Sequence, residues 1–255
     1  MRNLRDELDR RPLWGAFICS NSALAAEFMA QAGFDWLVID LQHSPTGGSE
    51  QLAAMLRATG STPTLVRIPW KTDYGTAMAA LDAGAQGLIV PMLDTPDEAA
   101  RIAGACRYPS AGYRSFGPWR AALQIPGYTT DDGDRRVLCL VQIETRAAID
   151  NLDAIVAVPG IDGAYIGPQD LSLSNGGPLS WRADNAVLHE LSERVLESCR
   201  RAGKLAIAHT ADPGDALHWG GLGFDMVTAT SDTRLISVAA ASAMEKLHAG
   251  NGQAG

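Results

Sequence analysis

Several common signatures are missing from this chain. Its four cysteines, Cys19, Cys106, Cys139 and Cys199, form no CxxC pair, so neither a zinc knuckle nor a redox motif is expected. Buried reduced thiols and a cytoplasmic location are the expectation. No GxGxxG and no P-loop motif occurs, which argues against dinucleotide and P-loop nucleotide binding. There is no basic block, and the formal net charge is −8, so nucleic acid is not an expected partner. Overall acidity does not exclude an anionic substrate, because a few local arginines or a metal can dominate a pocket. No apolar run is long enough to cross a bilayer. The opening MRNLRDELDRRPLW is charged, with no apolar segment behind it, so neither a signal peptide nor a membrane partner is expected. Lysine is scarce: only Lys71, Lys204 and Lys246 occur.

What remains is a repeating alternation. Across 255 residues, 46% apolar and 20% charged, short β-branched apolar runs are followed by Ala/Leu-rich helical segments. The runs at 14–19, 35–40, 64–68, 87–92, 137–143, 162–166, 204–208 and 224–229 read as eight strands. Their continuous apolarity implies a sheet covered on both faces. Helices are expected over 22–32, capped by Ser22 and closed before Gly33, and over 49–58, 73–83, 95–105, 146–157, 184–202, 212–220 and 232–248. Eight β-then-α units predict a single (β/α)8 barrel over 1–248, with a disordered tail over 249–255. One connection, 107–136, is long, aromatic and Gly/Pro-rich. It is either functional or a surface loop packed by its own aromatics.

Barrel active sites gather at the C-terminal ends of strands, which turns the strand map into a short list of polar residues. Strand 2 ends in Asp40, Gln42 and His43; strand 3 carries Arg67; strand 5 ends in Gln142 and Glu144. Strand 6 leads to Gly167, Pro168 and Asp170, and strand 7 to His209 and Thr210. Glu144 and Asp170, on neighbouring strands, suit Mg²⁺ or Mn²⁺ with water and substrate oxygens; alternatively each caps the helix that follows. Arg67, in an otherwise apolar strand, needs an anionic or carbonyl partner, either a substrate or a neighbouring carboxylate. Asp40 and His43 could pair to orient an imidazole base, or His43 could be an ordinary loop histidine. Imine chemistry needs a lysine at the barrel mouth. Lys204 begins its strand, Lys246 lies on the last helix, and Lys71 reads as part of an exposed loop. Metal chemistry is therefore favoured.

Six segments, in order, carry a resemblance: WLVIDLQHSP (36–45), LVRIPW (65–70), LDAGAQGLIVPML (81–93), YPSAGYRSFGP (108–118), VQIET (141–145) and YIGPQDLS (165–172). Between about residues 13 and 240 the chain resembles the HpcH/HpaI family of class II pyruvate aldolases. The resemblance implies a divalent metal (Mg²⁺, Mn²⁺ or Co²⁺) on Glu144 and Asp170, an active-site histidine at His43 beside Asp40, a catalytic arginine at Arg67 and a motif glutamine at Gln142. With Gln142, the candidate substrate contacts are Gly167, Pro168, Gln169, Trp14 and Thr210. Many family members carry an acidic residue where Gln42 stands.

The implied reaction is reversible cleavage of a 4-hydroxy-2-oxo acid to pyruvate or hydroxypyruvate plus an aldehyde. Arg67 stabilises the enolate oxyanion and the His43–Asp40 pair moves the proton of the aldol hydroxyl. A citramalyl- or malyl-CoA lyase-like enzyme and a non-catalytic barrel subunit are the competing readings. Family members are commonly hexamers with exchanged C-terminal helices. The Ala-rich stripe through Leu235, Val238, Ala239, Ala243 and Leu247 fits such an exchange, and a dimer of trimers is expected. The loop carrying Arg114, Phe116 and Trp119 would then meet a neighbour and help to close the site.

Overall fold

The computed structural model describes residues 2–45, 48–181 and 185–251. Eight strands close into one barrel in sequence order, every neighbouring pair parallel. They are β1 (Leu13–Ile18), β2 (Trp36–Asp40), β3 (Thr64–Arg67), β4 (Gly87–Val90), β5 (Leu138–Ile143), β6 (Gly163–Ile166), β7 (Leu205–His209) and β8 (Met226–Ser231). All eight coincide with the apolar runs of the sequence. Nearly every strand residue is buried, as a sheet covered by helices requires.

The strands divide their side chains between two cores. Phe17, Trp36, Val38, Leu65, Ile89, Leu140, Tyr165, Ile207 and Met226 fill the barrel interior. Ile18, Leu37, Ile39, Val66, Leu88, Val141 and Ile166 point outward and pack under the helices. The interior is tight. A Cβ on Gly15 would lie 2.4 Å from the Trp36 indole, so β1 can pass that ring only as glycine.

The helices are α1 (Ala23–Gln31), α2 (Ser49–Ala58), α3 (Tyr74–Asp82), α4 (Pro96–Cys106), α5 (Ala121–Gln124), α6 (Thr130–Arg136), α7 (Arg146–Asp150), α8 (Leu152–Val156), α9 (Pro168–Ser174), α10 (Ala186–Ala202), α11 (Pro213–Leu222) and α12 (Asp232–Asn251). The Ser22 hydroxyl caps α1 by accepting from Ala25 N–H at 3.3 Å, and Gly33 takes φ +91° just beyond the helix end. The helix expected over 146–157 is two helices. Asn151 leaves helical geometry between them and donates its side-chain amide to the Asp94 carbonyl at 2.9 Å. The last helix runs to Asn251, past its expected end, and the remainder of the expected tail lies outside the described residues.

The 107–136 connection contains α5 and α6 instead of an irregular loop. Its aromatics do pack on one another, Tyr108 against Phe116 and Phe116 against Tyr128 at 5.5 and 6.5 Å between centroids. Since it joins a helix end to the start of β5, it covers the N-terminal end of its own barrel, opposite the polar strand ends. Arg114 is buried there, stacked over Tyr108 and paired with Asp82 at 2.7 Å, whereas Phe116 and Trp119 are exposed.

Candidate active site

The C-terminal strand ends surround an open cavity of about 600 Å³. Of the residues singled out in the sequence, Asp40, His43, Arg67, Gln142, Gly167, Pro168, Gln169, Asp170 and Thr210 line it. Trp14 does not. It stands near the start of β1, at the other end of the barrel, with its ring against Gly220 of α11. A side chain there cannot reach substrate, and Trp14 is corrected from a contact to a packing residue.

Register puts Asp40 directly beside Arg67 on the adjacent strand. The guanidinium answers with a two-pronged ion pair: Nε to Oδ1 at 2.8 Å and Nη2 to Oδ2 at 2.7 Å. Burial works against the Asp40 carboxylate, but the hydrogen bonds and charge of Arg67 outweigh it and hold its pKa below the usual range. The same pair outweighs burial at Arg67 and raises that pKa. Phe17 lies flat under the guanidinium, 4.9 Å from its centre. This is the neighbouring-carboxylate alternative for Arg67, and it corrects the Asp40–His43 pairing. Asp40 spends its oxygens on Arg67 and on the Gln42 N–H, and the following turn leaves His43 exposed on the cavity wall. Among the described residues His43 has no hydrogen bond to Asp40.

Glu144 is buried at the end of β5. Its Oε1 accepts the Met92 N–H at 2.6 Å, and its Oε2 accepts Gln142 Nε2 at 2.5 Å. Met92 holds its N–H there from φ +54°, a conformation that costs a non-glycine residue on the order of 1 kcal/mol. Burial pushes the Glu144 pKa up to about 7, and the nearby Asp170 charge adds to it. The capping alternative fails for both acids. Thr145, not Glu144, caps α7, and Asp170 makes no capping hydrogen bond among the described residues.

A divalent cation fits this corner on three observations. Two carboxylates, Glu144 at the end of β5 and Asp170 in the first turn of α9, lie close enough for the charge of one to be felt by the other. The Gln142 Oε1 beside them is buried without any hydrogen-bond partner. A Cβ on Gly167 would lie 2.7 Å from both Gln142 Nε2 and Glu144 Oε2, so the bare backbone leaves room. An all-oxygen set of this kind suits a hard cation, which would also relieve the strained Glu144 carboxylate.

Several wall residues were not among the expected substrate contacts, although the strand-end rule names His209. His209 ends β7 beside Thr210. The Thr210 hydroxyl is spent on the Thr228 carbonyl at 2.7 Å, while His209 turns its ring to the cavity. A polar ring closing an apolar strand was the available signal. Trp181 follows a stretch without periodicity, and Ser231, Thr233 and Arg234 straddle the start of α12. Cys19 also reaches the wall, but burial and the charge of Asp40 push its thiol to about 12, so it offers no thiolate at neutral pH.

None of the three lysines lines the cavity. Lys71 is not the exposed loop residue expected. Only 14% of its side chain is accessible, and Nζ is held by Asp94 and Glu98 at 2.7 and 2.8 Å. That pairing raises its pKa against burial and withholds the free amine that an imine needs.

The chain is similar in sequence to proteins named as aldolases and in fold to a solved family structure. A "Hydroxypyruvate/pyruvate aldolase" of Deinococcus radiodurans is 37% identical over 90% of this chain and 83% of its own length. A "4-hydroxy-2-oxovalerate aldolase" of Rhodococcus jostii is 40% identical over 74% of each chain. The crystal structure of a Burkholderia cenocepacia family protein superposes with a TM-score of 0.87 at 29% identity, covering 96% of this chain and 98% of the other. The sequence profile described as HpcH/HpaI aldolase/citrate lyase matches residues 13–236, and the chain belongs to that family.

Proposed function

We propose that this enzyme is a divalent-metal-dependent aldolase that splits 4-hydroxy-2-oxo acids into pyruvate, or hydroxypyruvate, and an aldehyde. The observation that carries the reading is the oxygen-rich corner of Glu144, Asp170 and the unpartnered Gln142 Oε1, set opposite a buried arginine. Glu144 and Asp170 would hold the metal, of which Mg²⁺, Mn²⁺ and Co²⁺ are candidates. Bound there, the ion supplies Lewis acidity to the keto group of the substrate. Arg67, locked through Nε and Nη2 to Asp40, keeps Nη1 for the developing oxyanion. At the start of α9 the Gln169 and Asp170 backbone N–H groups would meet the substrate carboxylate, with Pro168 and Gln169 forming the wall. His43, on the wall without a carboxylate to steer it, carries the proton of the aldol hydroxyl. The decisive assay is pyruvate methyl proton exchange. EDTA-treated protein should exchange nothing and recover when metal is restored; exchange undiminished by chelation overturns the reading.

The proposed assembly is a hexamer of two trimers with exchanged α12 helices. The main contacts of α12 within its own chain are with β1 and β8, and most of its length beyond Asp232 is exposed, which supports an exchange with a neighbour. Ile236, Val238, Met244 and Leu247 along it are more than half exposed, as are Leu24 and Phe28 on α1 and Leu217 on α11. A second copy's α12 would cover such exposed apolar surfaces. Sedimentation at micromolar concentration tests this, and a fully active 27 kDa monomer refutes it. No helix among the described residues is long and apolar enough to cross a membrane, and the four free thiols fit a reducing cytoplasm.

A further inference from the structure

Beneath the cavity floor, three polar groups with few hydrogens between them close a triangle. His209 Nδ1 lies 2.8 Å from the Thr228 hydroxyl and 3.0 Å from the Tyr165 hydroxyl, and the two hydroxyls are 3.1 Å apart. Tyr165 and Thr228 are completely buried, and neither hydroxyl has another partner among the described residues. Each brings one hydrogen that needs an acceptor. If Nδ1 were protonated, three hydrogens would share three contacts with only two oxygens to receive them, and at least one buried O–H would be left poorly paired. With Nδ1 as acceptor the count closes: Thr228 donates to the ring, and Tyr165 donates to Thr228. The proton of the neutral imidazole then sits on Nε2.

The ring cannot turn away. Phe17 meets it edge-on at 4.7 Å between centroids and Trp181 at 5.1 Å. Burial, with the positive charge of Arg67 behind it, pushes its pKa down to about 3, so the imidazole stays neutral at working pH. No described residue occupies Nε2, and His209 is part of the cavity wall.

The metal corner and Arg67 belong to β3, β5 and β6, which leaves the β7–β8 wall for the aldehyde-derived half of the substrate. Ser231, Thr233 and Arg234 make that wall polar. We infer that His209 presents a fixed Nε2–H to an oxygen on the aldehyde-derived half, so that the enzyme selects hydroxylated aldehydes over alkyl aldehydes of equal size. This rests on the aldolase reading above.

The experiment uses metal-loaded full-length enzyme with pyruvate and two aldehydes of equal heavy-atom count, glycolaldehyde and propanal. The ratio of their kcat/KM values is the readout. Both reactions share the metal, the donor and the fold, so any general damage cancels. Wild type should favour glycolaldehyde by about tenfold or more, since a site built to bond an oxygen discriminates against the analogue lacking it. His209→Phe should bring the ratio close to one. His209→Gln, whose amide can still donate, should retain part of the preference. An independent check is the ¹⁵N spectrum of wild-type imidazoles, which should show the His209 proton on Nε2. A ratio unaltered in His209→Phe, or a proton found on Nδ1, overturns the inference. Wild type that exchanges no pyruvate protons with metal present removes the aldolase reading, and this inference with it.

Discussion

The two ends of the barrel handle buried polarity in opposite ways. At the N-terminal end the buried groups left without partners are donors: Arg5 Nε, Arg107 Nη1, Arg114 Nε and, in the last turn of α11, the Trp219 indole. The Asp162 carboxylate there is fully engaged. Asp162 takes Arg5 Nη2 at 2.6 Å, Arg107 Nη2 at 2.9 Å and the Cys139 N–H at 2.7 Å. At the C-terminal end the unpartnered atoms among the described residues are acceptors, Asn21 Oδ1, Gln42 Oε1 and Gln142 Oε1, the last of them beside a Glu144 carboxylate driven up to about 7. A surplus donor on an already paired arginine costs little. An unpartnered acceptor beside a buried carboxylate whose pKa is raised favours a cation. One end is built for stability, and the other stores strain that a ligand can relieve.

Exchanging one carboxylate at each end breaks this comparison most sharply. Glu144→Gln should leave the barrel folded by circular dichroism and cost three or more orders of magnitude in activity, on the order of the loss of a metal-based electrostatic site. Isothermal titration with Mn²⁺ should show no binding. Asp162→Asn should do the reverse, costing about 3 kcal/mol of stability by breaking a buried ionic cluster while each folded molecule keeps its turnover. If Asp162→Asn lost activity per folded molecule, the division between the ends would fail.

Arg67 and His43 separate the roles within the upper end. Arg67→Lys keeps the charge but loses the fork that engages Asp40 through two nitrogens, so pyruvate proton exchange should fall on the order of 10²–10³-fold. Exchange rates equal to wild type would remove Arg67 from oxyanion stabilisation. His43→Ala should act later. Metal and pyruvate binding should persist, with C–C cleavage reduced on the order of 10²-fold. Loss of the metal in that variant would make His43 a ligand instead of a proton carrier.

The barrel was legible because its strands are continuous apolar runs whose ends carry the few polar residues, and a period-2 lattice leaves little choice of where those residues point. Glu144, Asp170 and Arg67 follow from that rule. The Asp40–His43 pairing did not survive, because closeness in sequence competes with cross-strand register. Asp40 stands beside Arg67 in the sheet, and a two-pronged ion pair outbids a loop imidazole. Trp14 was expected as a contact although it stands near the start of its strand, at the end of the barrel away from the site. His209 and Thr210 were both named at the end of strand 7 but only Thr210 was expected to touch substrate, and only the packing shows that the threonine hydroxyl is consumed by its neighbour's carbonyl.

The smallest expected effect concerns the same histidine and stability. A neutral His209 whose pKa lies near 3, against an ordinary value near 6.5, makes the folded state the poorer proton binder. Its contribution is fully present above pH 6.5. As pH falls through the window from 6.5 toward 3, the unfolded chain takes up a proton that the folded ring refuses, and stability is lost. Arg67 facing the ring strengthens the refusal, and Asp40 behind Arg67 weakens it. His209→Phe removes the titration, so its Tm should fall less steeply than wild type between pH 6.5 and 4.5, with a difference of a few °C across that range. The absolute Tm of the variant can shift either way, because the phenyl ring leaves the Thr228 hydroxyl without its acceptor. The slope is therefore the informative quantity. Parallel curves for the two proteins would mean that the ring takes its proton inside the folded barrel, and the upper end would then hold one strained group fewer than the comparison requires.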